Sequence, residues 1–407
     1  MSHPRFLLGA GASCVIVSLC LGSSFAHAQT PDENVAGLGA GAIVIQGAKG
    51  SAQAWFMLDE DTTTGWTSEP GAHLEPTVIE LADRSTIRSV QFDTASIETD
   101  GREPKEVLVE ISDTSATDGF KPLLRATLTA APKDNQRFKA AAEMSGRWLR
   151  LSIKTMQQPS HDIAQIMEFR AFGTRLTHNP SPTVTGTYEL DGSEYHLKQT
   201  GLMVSGCFYG ATKPIEGGLE GRVLRFTWNT DGDNGLAIAV FGSTGQMFVG
   251  RWRTDSAVVE HPVMAAFEAK KKGDSPGSCP EWKGTGDALA TELKTEGRVR
   301  LYGINFDSDA DTIRGESKPT LDRVVAILKA NADLKITIEG HTDSTATAQH
   351  NQELSQRRAT AVKQYLATAG IPADRLEAVG LGATKPVATN ATPLGRAANR
   401  RVELVKR

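Results

Sequence analysis

The 407-residue chain holds only four cysteines, and two of them, Cys14 and Cys20, fall within its first 28 residues. That leaves Cys207 and Cys279, at most one bridge and no disulfide framework. Neither sign of charge dominates: Lys and Arg total 44, Asp and Glu 48, for a formal net charge of -4. No domain-wide basic field exists, which argues against a general nucleic-acid binder. Past the N-terminus no run is apolar for the ~18 residues a spanning helix needs. Residues 29–270 also lack the string of ~10-residue lipid-facing strands with aromatic girdles that marks a membrane β-barrel. What remains, with 23% charged and 39% apolar residues, suits globular material in two to four domains.

The N-terminus differs from the rest. "MSHPR" is positively charged, "FLLGAGASCVIVSLCLG" is a mostly apolar run, and "SSFAHA" ends in a small-x-small pattern at Ala26 and Ala28. The pattern predicts a secretory signal peptide over 1–28, cleaved after Ala28. A retained membrane anchor is the alternative, and Leu19 before Cys20 fits a lipoprotein signal poorly. The mature chain is then expected in an exported compartment, the periplasm, with no integral membrane segment. Export permits a Cys207–Cys279 bridge, but two positions in a sequence do not establish that the thiols meet.

Over 36–176 the apolar residues alternate with period two in "PTVIEL", "SVQFDT", "EVLVEIS" and "WLRLSIK", separated by turn-rich stretches. The pattern predicts a β-sandwich. The succession "LDEDTTTGWTSE", "PTVIEL", "PKEVLVEIS", "GRWLRLSI", "DIAQIMEFRAFG" resembles the discoidin-like (coagulation-factor type C, galactose-binding-like) jelly roll. The resemblance implies loops that bind sugars or lipids. Trp55 and Trp66 are the candidates for stacking on a sugar ring, against the commoner role of plugging the core. The neighbouring carboxylates Asp59, Glu60 and Asp61 read as a solvated turn.

After a Pro-rich stretch at 178–186, six short strand-like segments follow at regular intervals, a domain expected over 183–268. They predict an antiparallel meander, either an open sheet or a small barrel. Asn229, Asp231 and Asp233 have calcium-loop spacing, but Asn234 and Val240 stand where the loop needs Gly and Glu, so a hairpin turn is expected. Residues 269–287 are charged and Gly/Pro/Ser-containing, a linker pattern. Over 288–407 the order β-α-β-α-β-β implies a two-layer α/β sandwich. Its first helix carries Leu321, Val324, Val325 and Leu328 on one face, and its second is expected over 351–369 with Asn351 as N-cap.

In that second helix Arg358 interrupts an apolar stripe, roughly 40° from Leu354 at 100° per residue. A buried guanidinium needs an anionic partner or a ligand. Asp343, presented just beyond a strand end, is the nearest candidate. Together they would match a zwitterion, carboxylate for ammonium and guanidinium for carboxylate. These residues lie in "GHTDSTATAQHNQELSQRRATAVKQYL", followed later by "GRAANRRVEL". The two segments resemble the OmpA family's C-terminal peptidoglycan-binding module. The resemblance implies non-covalent binding of the diaminopimelate of the peptidoglycan stem peptide through Asp343 and Arg358. Phe306, Asp307, Thr342, Asn351, Leu354, Asn399 and Arg400 would be supporting residues. Ala346 stands where the family usually has Gly, which puts the loop's backbone in question.

His341 has neither a nucleophile nor further metal ligands at suitable sequence spacing and reads as a structural hydrogen-bonder. The run "DSDAD" at 307–311 reads as a solvated acidic loop. No catalytic residue, metal or cofactor is expected. The resulting expectation is a non-enzymatic envelope protein that links the wall to the outer membrane, or to a glycan or protein partner of its β-rich domains. The rival readings are an envelope hydrolase or carbohydrate-binding protein using the last domain for wall targeting, and an anchor with an uncleaved N-terminal helix.

Overall fold

A computed structural model describes residues 32–47, 54–97, 101–131, 133–177, 179–208, 213–229, 234–254, 265–280, 288–301, 303–306, 309–391 and 393–407. The expected signal peptide, with its lipoprotein alternative, lies outside the described residues, as do Asp231, Asp233 and Asp307. Among the described residues no helix is long and apolar enough to cross a membrane.

The first domain is built on a seven-stranded sheet whose centre is one long strand, Thr77–Asp93. It pairs with Gln136–Met156 on one side and Glu168–Arg175 on the other. "PTVIEL" and "SVQFDT", expected as separate strands, are thus two parts of one. The ladder slips between Ile87 and Ser89, and the slip changes which side chains face inward. Ile79, Leu81 and Ile87 join the core before it, Val90 and Phe92 after it. One extra residue on a strand of period two moves every later side chain to the other face. A two-stranded ladder, Trp66–Thr67 with Gln165–Ile166, completes the domain.

The second domain is a closed barrel of eight antiparallel strands between Gly186 and Gly273. The first strand, Gly186–Leu190, closes it by pairing with both Ser193–Thr200 and Ala265–Gly273. Its interior is filled, with Tyr188, Phe241 and Phe248 in mutual ring contact. The last strand, Ala265–Gly273, occupies residues expected to begin the linker. Cys207 and Cys279 are bridged across 72 residues, tying the segment beyond the barrel to its third strand. A loop of that length is stabilised by about 2–4 kcal/mol when cross-linked.

The domains pack against one another rather than hanging on linkers. Leu38, Ile43 and Trp55 of the first domain share a cluster with Val223, Ile238, Val240 and Val249 of the barrel. Arg222 at the barrel's hairpin tip donates to the Glu80 carboxylate at 2.6 Å, and both are buried. Arg251 donates to Asp59 at 2.9 Å. Asp59 is therefore no solvated turn residue: burial pushes its pKa up to about 6, although Arg251 opposes the shift. Trp55 and Trp66 are 4% and 2% exposed, so neither ring is available to stack on a sugar. Both take the commoner role of filling apolar cores.

The last domain has a four-stranded sheet in the order Arg298–Leu301, Arg401–Lys406, Ile336–His341, Leu376–Gly380. The last pair is parallel, the other two antiparallel. Leu321, Val324, Val325 and Leu328 of the helix Lys318–Ala330 are buried as their spacing predicts. Two short helices, Ala288–Thr295 and Pro393–Asn399, were not foreseen; eight or fewer residues give little periodicity to read. The expected strand "GRVRLYGINF" ends at Leu301, and Gly303 follows with φ +87°, a left-handed conformation that breaks the ladder.

Candidate functional site

The parallel strands Ile336–His341 and Leu376–Gly380 are crossed by the long helix Ala348–Thr368. Two glycines permit the close approach. A Cβ on Gly340 would lie 2.3 Å from the Ser355 carbonyl, and one on Gly380 would lie 2.3 Å from the Gln356 nitrogen. The helix starts three residues earlier than the sequence suggested. Thr347, not Asn351, is the N-cap, its hydroxyl accepting from His350 N. Asn351 instead turns its amide back to the carbonyls of Asp343 and Ala346, at 3.0 and 3.1 Å.

That bracing explains how the loop manages without glycine at position 346. Ala346 is not among the non-glycine residues with positive φ. The turn is closed by Thr345, whose N–H and hydroxyl both donate to Asp343 Oδ1, at 3.0 and 2.5 Å. Asp343 Oδ2 accepts from Arg400 at 2.8 Å. Burial raises the Asp343 pKa, but the hydrogen bonds from Thr345 and Arg400 outweigh it and hold the carboxyl below its ordinary value. It is an anion, 7% exposed.

Arg358 is not paired directly with Asp343, whose salt bridge is to Arg400. It donates through Nε to the Ala310 carbonyl at 2.9 Å and lies 5.0 Å over the Phe306 ring. Burial and the like charge of Arg400 lower its pKa, opposed by the nearby carboxylates. Asp343, Arg358 and Arg400 nevertheless line one cavity of about 330 Å³, with Phe306, Asn351 and Leu354 in its wall. Thr342 also lines it, and its buried hydroxyl has no hydrogen-bond partner among the described residues. Asn399 does not line it: its amide braces the loop at Val387, Ala388 and Asn390. Asp309 stays exposed, as a solvated loop requires, and meets His350 at 2.6 Å.

Two further wall residues, Glu220 and Arg225, carry no local signal in the sequence; they come from the barrel hairpin of Lys213–Glu220 and Val223–Asn229. His341 also departs from expectation. Neither ring nitrogen has a hydrogen-bond partner among the described residues. Its side chain lies on the opposite face of the sheet from Ile336 and Ile338, with Glu339 and Glu403, and their donor atoms fall within 4.8 Å of one another. Both carboxylates already accept from guanidinium groups, of Arg298 and Arg401, so the cluster is charge-compensated as it stands. Desolvation, then Arg401, pushes the His341 pKa down to about 3.

Residues 305–400 match the model of the OmpA family. The peptidoglycan-binding protein ArfA of Mycobacterium tuberculosis is 44% identical over 102 residues, 25% of this chain and 31% of that protein. The outer-membrane lipoprotein YfiB of Pseudomonas aeruginosa is 41% identical over 118 residues, 28% of this chain and 69% of that protein. Among solved structures, the peptidoglycan-associated lipoprotein from Burkholderia pseudomallei is 34% identical, covering 27% of this chain and 89% of that one, with a TM-score of 0.24. The chain spans 12% to 31% of the length of the first curated relatives it matches.

Proposed function

Because the chain belongs, through its C-terminal domain, to the OmpA family, we propose that it is a non-enzymatic envelope protein that binds peptidoglycan through the diaminopimelate of the stem peptide. The observation that carries this reading is the placement of an ionised Asp343 and the Arg358 guanidinium in the wall of one cavity. The carboxylate suits the ligand's ammonium group, and the guanidinium suits its carboxylate. Arg400 holds Asp343 in place, and Asn351 holds the loop that carries it. Further support is that ArfA, similar over this domain, is described as peptidoglycan-binding.

The protein would act in the periplasm, at the wall. The discoidin-like reading of the first domain stays part of this proposal, supported by its long-stranded antiparallel sheet. A glycan or outer-membrane partner of the β-rich domains would bind elsewhere than at Trp55 and Trp66, which are buried.

The test is co-sedimentation with purified sacculi. The wild type is expected to pellet with the wall, and Asp343→Ala and Arg358→Ala to stay in the supernatant while keeping the wild-type circular dichroism. Folded variants that pellet like the wild type sink the assignment.

A further inference from the structure

The cavity is not the property of the C-terminal domain alone. The barrel hairpin of Lys213–Glu220 and Val223–Asn229 turns at Gly221 and Arg222, and this tip is held from both sides. Arg222 is buried and donates to Glu80 and to the Gly41 carbonyl of the first domain. The Leu219 carbonyl accepts from Asn305 Nδ2 of the C-terminal domain at 3.2 Å. Lower on the same strand, Glu216 pairs with Arg323 at 3.3 Å. A turn pinned in this way presents its neighbours in a fixed position.

Those neighbours are Glu220 and Arg225, paired at 2.6 Å on the barrel's outer surface and both lining the cavity. Glu220 keeps 41% of its side chain exposed, and Arg225 only 6%. Arg225 Nε is buried and has no acceptor among the described residues. On the C-terminal side of the cavity the Thr342 hydroxyl is buried and equally without a partner among the described residues. A buried N–H of a charged group left unpaired is costly, and the cost is relieved when an acceptor arrives. The charge of Glu220 is felt by both Arg358 and Arg400, so the barrel's carboxylate belongs to the same electrostatic site.

We propose that the barrel completes the stem-peptide receptor, with Arg225 taking a second carboxylate of the ligand beyond the zwitterionic head held by Asp343 and Arg358. Glu220 is the internal competitor that holds Arg225 in place until that carboxylate arrives. This rests on reading the cavity as a diaminopimelate site and adds a specificity to it. The preferred ligand is a stem peptide whose diaminopimelate has a free backbone carboxylate, over one in which that carboxylate is blocked as an amide.

The experiment is calorimetric titration of the full chain with two probes: the tripeptide alanyl-γ-glutamyl-meso-diaminopimelate, and the same tripeptide with a carboxamide in place of the diaminopimelate backbone carboxylate. The wild type is expected to bind the acid about tenfold more tightly than the amide, the order of one charge-assisted hydrogen bond. In Arg225→Gln that ratio is expected to fall to about one. An unchanged ratio in Arg225→Gln overturns the proposal while leaving the Asp343–Arg358 reading intact. Failure of the wild type to bind either probe overturns both. Glu220→Gln guards against a folding artefact, because it removes the competitor. It is expected to bind the acid severalfold more tightly than the wild type, and no gain there overturns the proposal.

Discussion

Arg400 donates to the Asp343 carboxylate at 2.8 Å across 57 residues of sequence, so the strand-end aspartate is oriented by the segment that leads into the last strand. Arg400→Ala is expected to weaken sacculus binding severalfold, and Arg400→Lys to recover part of it, because a single N–H makes the contact. Asp343 has a folded-state pKa below its ordinary value of 3.8. Its contribution to stability is full above that value and is lost as pH falls through the depressed one. The part of wall binding due to Asp343 should therefore be equal at pH 7 and pH 5, comparing wild type with Asp343→Asn. A difference that shrinks over that range contradicts the assignment.

Asn351 closes the loop between the two halves of the site. Asn351→Ala leaves the carbonyls of Asp343 and Ala346 without that donor, and the expected cost is about 1–3 kcal/mol. Asn351→Asp should fare no better, since a carboxylate cannot donate to either carbonyl. Urea unfolding and sacculus binding measured on the same variants would check this. A loop that keeps full affinity in both variants would show that the bracing is unimportant.

His341 offers a pH signature of the C-terminal domain. Its folded pKa is pushed from 6.5 down to about 3, so the folded protein excludes a proton that the unfolded chain accepts. The stabilisation is full above 6.5 and declines as pH falls toward 3, with a slope of up to ~1.4 kcal/mol per pH unit. His341→Asn should flatten that slope between pH 6 and pH 4. Parallel curves for the two proteins would refute it.

Arg222 couples the barrel to the first domain. It is 4% exposed, as is Glu80, and truncating one partner of a buried ion pair costs roughly 3–5 kcal/mol. Arg147, 3.2 Å from the same carboxylate, should keep Arg222→Ala toward the lower end. The expected readout is earlier unfolding of the first two domains in denaturant. Superimposable curves would mean the interface is held by its apolar cluster instead.

Much of the C-terminal domain was legible in the sequence because its signals are local. Four apolar residues at helical spacing placed the helix Lys318–Ala330, and an arginine within an apolar stripe drew attention to Arg358. The N-cap was misplaced because Asn351 and Thr347 are both competent caps, and only the path of the loop chooses between them. The long strand Thr77–Asp93 was read as two, since a bulge interrupts the alternation without ending the strand.

By itself the sequence determined the β-rich character of the chain ahead of its last domain and the likeness of that last domain to the OmpA family. Those follow from periodicity, turn residues and short motifs, which are properties of neighbours along the chain. Only the tertiary structure decided that Asp343 pairs with Arg400 and not Arg358, that the barrel closes, that Cys207 meets Cys279, and that Glu220 and Arg225 enter the cavity wall. Each is a meeting of residues far apart in sequence or held on different elements. It depends on strand register and on how apolar faces pack together, terms that no local pattern encodes.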